Sequence, residues 1–298
     1  MTGLFDPTAP LTPSGNLRRR ELVSRLASGG ATASAMLAVT VLAVVISSVA
    51  QRGSSSLSLS FITKPPPLFG GSAGGIGPEL VGTIILVALA TAIAMPLGVL
   101  AALYVTEFAG GRAARLIRGV LDLMQGLPSI IVAVCVYGLL VADTGQSGYT
   151  ASTALAIIML PLIARSSQEV ILLVPGNLRE AAEALGIGRW RTIRGVVLPG
   201  ALGGIMTGTI LAVARAAGET APMILLCSVF NPTIFATNPF THQAIPNVPF
   251  EIFSLSEQAD PSSFSRAWGS ALVLLTFILL ANFLARAVLA RSRRRVVR

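Results

Sequence analysis

Arg215 and Glu219 stand four residues apart in a stretch, 201–229, that contains no other charged residue. A charge at the centre of a membrane helix costs about 2.5–3.5 kcal/mol on insertion scales, so a residue kept there is functional by default. A guanidinium presents a planar fork of donors to an oxyanion, and a carboxylate one turn away holds that fork in place or limits how tightly the anion is held. At about 100° per residue Gly204, Gly208 and Ala212 share the sector of the charged pair, whereas Met206, Ile210 and Val213 point away. Either the two charges neutralise each other while the small residues let helices pack closely, or the face lines a path for an anion that must be attracted yet released.

A second constellation lies between residues 175 and 199. Asn177 is placed to cap a short helix, Glu180 falls in its first turns, and Gly186 and Gly188 end it. Ala181, Ala182 and Gly186 are small enough for a partner's groove to approach, with Arg179, Glu180 and Glu183 as polar rim. On physical grounds such an amphipathic helix serves equally well as a docking element or as a segment resting on lipid headgroups.

The elements that position these residues are membrane helices. Of 298 residues 53% are hydrophobic and 12% charged, and the mean hydropathy is +0.76; soluble domains carry about 25% charged residues, so a soluble enzyme is excluded. Six apolar blocks meet or approach spanning length: 32–50, 80–104, 117–141, 150–167, 201–229 and 268–289. They lack the alternation of a membrane barrel, which predicts an all-α integral membrane protein. The first block, with a weak cleavage-like Ser48-Val49-Ala50 at its end, is too long for a signal-peptide core and is expected to stay as a helix after a tail of residues 1–31. Eighteen of the 22 basic residues fall before the first block, in 105–116 and 168–200, at the block edges beside these, and in the tail 290–298. Arg52, Lys64 and Arg266 fall on the other side, so both termini are expected in the cytoplasm. Headgroups of the inner leaflet account for the net charge of +9, and no nucleic-acid partner is expected.

Cys135 and Cys227 lie in apolar blocks with no metal-ligand spacing and are expected to pack in the core. His242, the sole histidine, stands in the outside segment 230–266 without ligand partners, so no metal site or histidine-based catalytic site is expected. That segment also holds Phe230, Phe235, Phe240, Phe250, Phe253 and Phe264, a density suited to a headgroup-level belt or a docking platform. Pro96, Pro128 and Pro161 are each expected to kink a span. The only lysine, Lys64, follows Thr63, so the chain cannot form an ordinary phosphate-binding loop.

Glu180-Ala181-Ala182, Gly186 and Val196-x-Leu198-Pro199 resemble the cytoplasmic "EAA" loop of ATP-binding-cassette importer permeases, with Val196 where isoleucine is usual. The stretch Ala214–Pro222, together with Gly75–Pro78, Leu127–Ile130 and Pro65–Pro67, is similar to the phosphate-specific permeases, and the short proline-bearing first outside loop resembles one of the two sister permeases of that system more than the other. The resemblance implies the importer-permease fold with six spans, a permease domain over 80–289, a bacterial plasma-membrane location, and a coupling helix at 178–188 in which Glu180, Ala181, Ala182, Glu183 and Gly186 meet an ATPase. It further implies that Arg215, Glu219 and Thr220 line the phosphate pathway. The implied partners are a sister permease, two ATP-binding subunits that carry the ATP and Mg2+, an extracytoplasmic phosphate-binding protein, and membrane lipid. The alternatives are a permease for another oxyanion or small solute and, from a different class, an ion-coupled secondary transporter.

Overall fold

The computed structural model describes residues 15–67, 74–108, 110–229, 238–241 and 243–296, and the chain divides into two compact units, residues 1–51 and 52–298. The first unit is the bulk of helix α1 (Gly15–Gly53), which begins well inside the expected tail and runs through the cleavage-like Ser48–Ala50. Its apolar side chains, among them Val39, Leu42 and Val44, stand exposed, as suits a helix with lipid for solvent.

The second unit begins with a short α2 (Leu59–Thr63) and a long α3 (Gly77–Leu103) whose end, Tyr104–Phe108, widens into a π turn. Helices α4 (Gly111–Gly126) and α5 (Ser129–Val136) follow, then a π turn and the brief α6 (Ala142–Thr144). Helix α7 (Gly148–Leu172) leads into α8 (Gly176–Ala184) and α9 (Arg189–Thr192), and a π turn at Ile193–Val197 joins α9 to α10 (Leu198–Ala216). The short α11 (Ala221–Leu226) and α12 (Val248–Ser256) precede α13 (Pro261–Val296). Among the described residues five helical segments are long and apolar enough to cross a bilayer, and the bent α4–α5 pair makes a sixth if it counts as one span.

Three expectations need correction. The block 117–141 is not one helix: α4 and α5 meet at 101°, because Pro128 has no N–H to continue the ladder and holds Leu127 in an extended conformation. Pro96 and Pro161, by contrast, remain inside continuous helices. The block 201–229 is likewise interrupted, since α10 ends at Ala216 and α11 starts only at Ala221. The segment 230–266, expected as an outside loop, is not a plain loop: it contains α12, and α13 starts at Pro261, where the Asp260 carboxylate accepts the Ser263 N–H at 3.0 Å. Phe250 is buried and Phe253 half-buried, so they pack inward; Phe240 and Phe264 stay exposed, and Phe230, Phe235 and His242 lie outside the described residues. Arg266 is buried with its Nη2 3.4 Å from Glu251 Oε1, and Arg52 sits 4.9 Å over the Trp268 ring.

Helices α3 and α7 are the central pair. Ala90, Ala94, Gly98 and Ala102 repeat every four residues along one face of α3 and are all buried, which lets the two backbones approach closely. Leu155, Met159 and Ile163 of α7 fill the same core as Leu86, Ala90 and Ala94, and Ser152 Oγ donates to the Leu86 carbonyl at 3.1 Å. A second cluster, Ala102, Leu103, Ile171, Val174, Ile193, Val197, Ala201 and Ile205, closes the end of the bundle that carries α8. Cys227 is buried as expected, whereas Cys135 is exposed on α5, because α5 covers its neighbours only through Val132, Ala133 and Val136.

Among the described glycines, Gly82 of α3 leaves the least room: a Cβ there would stand 1.9 Å from the Pro246 carbonyl oxygen. Backbone cannot swing aside as a side chain does, so Gly82→Val is expected to cost at least the upper end of the ~1–3 kcal/mol typical of overpacking. Gly119→Ala, with nothing within 4 Å, is expected to be harmless. Thermal unfolding in detergent, followed by size-exclusion chromatography, checks the pair.

Candidate functional site

The residue at the N-cap of α8 is Pro175, not Asn177: no side-chain cap bond forms at the helix start, and Asn177 is exposed in the first turn. Its end is sharply defined. Gly186 adopts φ +71°, and the N–H groups of Gly186 and Ile187 donate to the carbonyls of Glu183 (2.9 Å) and Ala182 (3.0 Å), the paired bonds of a Schellman cap. Gly188, at φ −62°, has ordinary backbone.

Glu180, Ala181, Glu183 and Gly186 are exposed, but one small residue expected on the docking face and one expected on its polar rim are not there. Ala182 is buried against the body. Arg179 turns inward, donating to the carbonyls of Val174 (2.8 Å) and Ile171 (3.0 Å) and to Glu107 Oε1 (2.9 Å). Around the exposed acidic residues stand large apolar side chains, including Leu173 at 78%, Leu185 at 77% and Trp190 at 58% exposure. Singly exposed apolar residues are normal, but a group of them around one short helix marks an interaction surface. Glu107 was not singled out from the sequence; the available signal was a carboxylate at the end of a long apolar run, facing a loop rich in arginine.

At the other site the helix stops just past Arg215. Residues 217–220 are unwound, held by bonds from Gly218 N to Arg215 O (3.1 Å) and Glu219 N to Ala216 O (3.2 Å). Arg215 Nε still reaches Glu219 Oε1 at 3.3 Å, so the pair forms across a break and not along one helical face. The Arg215 side chain is 55% exposed and that of Glu219 16%. The Arg215 Nη groups meet no acceptor among the described residues. Thr220 heads α11 without a side-chain cap bond. The small residues do a different job: a Cβ at Gly204 would lie 2.4 Å from the Val170 methyls and one at Gly208 2.0 Å from Ser166 Oγ, so they seat α10 on α7. Close packing therefore accounts for Gly204 and Gly208, and the open guanidinium stands beyond them.

Gln146 secures the far side of the break. Its Nε2 donates to the Leu225 carbonyl at 3.0 Å, and its Oε1 accepts from Ser228 N and Oγ at 3.2 and 3.0 Å. Irregular backbone at membrane depth is tolerated where protein or a water-filled cavity receives its polar groups, and broken helices in transporters occur at substrate sites.

The family model described as "binding-protein-dependent transport system inner membrane component" matches residues 94–298. The chain belongs to this family. Among its relatives are the phosphate transport system permease protein PstA 1 of Mycobacterium tuberculosis (strain ATCC 25618 / H37Rv), 36% identical over 230 residues that make up 74% of this chain and 73% of the relative, and PstA of Xylella fastidiosa (strain Temecula1 / ATCC 700964), 34% identical over 281 residues, 93% and 96% of the two chains. The fold is similar to that of a bacterial alginate ABC transporter solved in complex with an alginate pentasaccharide-bound periplasmic protein (TM-score 0.62, 17% identity, 92% of this chain and 97% of that one). It is also similar to the inward-facing MetNI methionine ABC transporter (TM-score 0.57, 20% identity, 73% and 94% covered). As a member of this family the chain is a multi-pass, non-catalytic transmembrane subunit of the plasma membrane, built on the importer-permease fold. Membership in a binding-protein-dependent system implies an ATPase and a substrate-binding protein as partners of the permease.

Proposed function

We propose that this permease is one of two membrane subunits of an ATP-driven importer of inorganic phosphate. The observation that carries the proposal is the open guanidinium of Arg215 beside the unwound residues 217–220, in a chain whose relatives are named phosphate permeases. A PstC-like sister completes the pathway as a heterodimer. Two PstB-like subunits, holding ATP and Mg2+, dock on the exposed side of α8 through Glu180, Ala181, Glu183 and Gly186. A PstS-like protein delivers phosphate from outside, and both termini lie in the cytoplasm, as the placement of the basic residues supports.

Closure of the ATPase pair displaces α8, and the bundle opens outward to accept phosphate. The Arg215 fork attracts the anion once its hydration is stripped, while Glu219 keeps the site from holding it too tightly to release. Hydrolysis resets the inward-open state. Affinity purification of the tagged chain from native membranes tests the assembly. A complex with a second permease and two copies of an ATPase is expected; recovery of the chain with no ATPase contradicts the proposal.

A further inference from the structure

Helix α8 and the start of α9 are both fastened to one residue of the π turn that ends α3. Glu107 sits in the π turn that ends that helix and is 9% exposed; single π turns inside longer helices are frequent at functional positions. Its carboxylate accepts Arg179 Nη2 at 2.9 Å, from within α8. Its backbone carbonyl accepts Arg189 Nη2, from the start of α9 beyond the Gly186 cap, and the Arg189 guanidinium lies 5.2 Å over the neighbouring Phe108 ring. Whatever moves α8 therefore pulls on the end of α3, and α3 is packed along its length against α7 through Ala90, Ala94, Gly98 and Ala102.

The Glu107 link is separable from the stability of α8 itself. Arg179 also bonds the Ile171 carbonyl of α7 and the Val174 carbonyl just beyond it, so losing the carboxylate leaves α8 seated there and removes the direct tie of α8 to the end of α3, leaving only the Arg189 contact from α9. The exposed docking residues Glu180, Ala181, Glu183 and Gly186 make none of these contacts.

We propose that Glu107 is the positioning residue that ties the coupling helix to α3, so that displacement of α8 by the ATPase becomes movement of the spanning bundle. The transport consequence rests on the function proposed above; the mechanical link does not, and the two are read separately. In the assembled complex, with Cys135 and Cys227 replaced by serine, spin labels at Ala184 and Leu100 report the distance between α8 and the last turn of α3. The wild type is expected to give one narrow distribution, unchanged by ATP, and Glu107→Gln a distribution at least about twice as wide, with Glu107→Asp in between. The same complexes in liposomes are expected to show ATP hydrolysis within about twofold of wild type for Glu107→Gln, and phosphate moved per ATP reduced at least about tenfold. An unchanged distance distribution in Glu107→Gln overturns the link, as does failure of that variant to assemble with the ATPase, which would make Glu107 merely structural. A wild-type complex that moves no phosphate, with the distribution still broadened in Glu107→Gln, keeps the link and overturns the cargo.

Discussion

Arg215→Lys is expected to reduce phosphate uptake at least about tenfold, with the protein at its normal level in the membrane. Lysine keeps the charge, so insertion and the attraction of an anion toward the break at 217–220 survive. The fork does not survive: Arg215 commits Nε to Glu219 at 3.3 Å and leaves its Nη groups without an acceptor among the described residues, an arrangement an ammonium cannot reproduce. A charge-assisted hydrogen bond is worth about 1.5–3 kcal/mol, and about 1.4 kcal/mol is a factor of ten. Uptake of radiolabelled phosphate, normalised to immunoblotted permease, checks the expectation; wild-type uptake in the lysine variant would remove the guanidinium from the mechanism. Glu219→Gln is expected to act oppositely on binding and release, holding phosphate more tightly while slowing its passage.

Gly186→Val is expected to abolish recruitment of the ATPase. The φ of +71° at Gly186 lies where a Cβ collides with the following carbonyl, at about 1–2 kcal/mol, and a β-branched residue suffers more. The loss falls on the two bonds that turn the chain from α8 toward α9 and so set the surface holding Glu180, Ala181, Glu183, Leu185 and Trp190. A graded series follows, with asparagine tolerated best, alanine worse and valine worst. Gly188→Ala, at ordinary backbone, is expected to behave as wild type. The amount of ATPase copurified with each variant, at least about tenfold lower for valine, is the measurement; equal recovery across the series would mean that the cap does not shape the docking surface.

The fold was legible in the sequence wherever a single physical requirement dominates. Apolar length places α3, α7 and α13, and the Gly186 end of α8 follows from the left-handed conformation that glycine alone enters freely. Breaks were less legible. Pro128 ends a helix while Pro96 and Pro161 do not, and burial does not separate them, since Pro161 is buried but Pro96 is exposed as Pro128 is; Pro128 differs in following the weak helix former Gly126 by two residues. The Ala217–Thr220 break carries only Gly218 and the downstream Pro222 as local signals, so a periodicity argument carried the helix straight through and put Arg215 and Glu219 on one face. Small residues on α10 looked like part of the pathway, but a stripe of glycine and alanine serves helix contact equally well, and only the positions of Val170 and Ser166 decide between the two. Glu107 and Arg179 were beyond reach because their partnership spans 72 residues of sequence.

The most direct measurement of the central claim is ATP-dependent uptake by the purified complex in liposomes, supplied with its binding protein and offered phosphate or sulfate. The account predicts that phosphate enters at least about tenfold faster than sulfate, that uptake stops without ATP, and that it falls to background in the Arg215→Lys complex. Uptake of sulfate at the rate of phosphate, or phosphate uptake that continues without ATP, would contradict it.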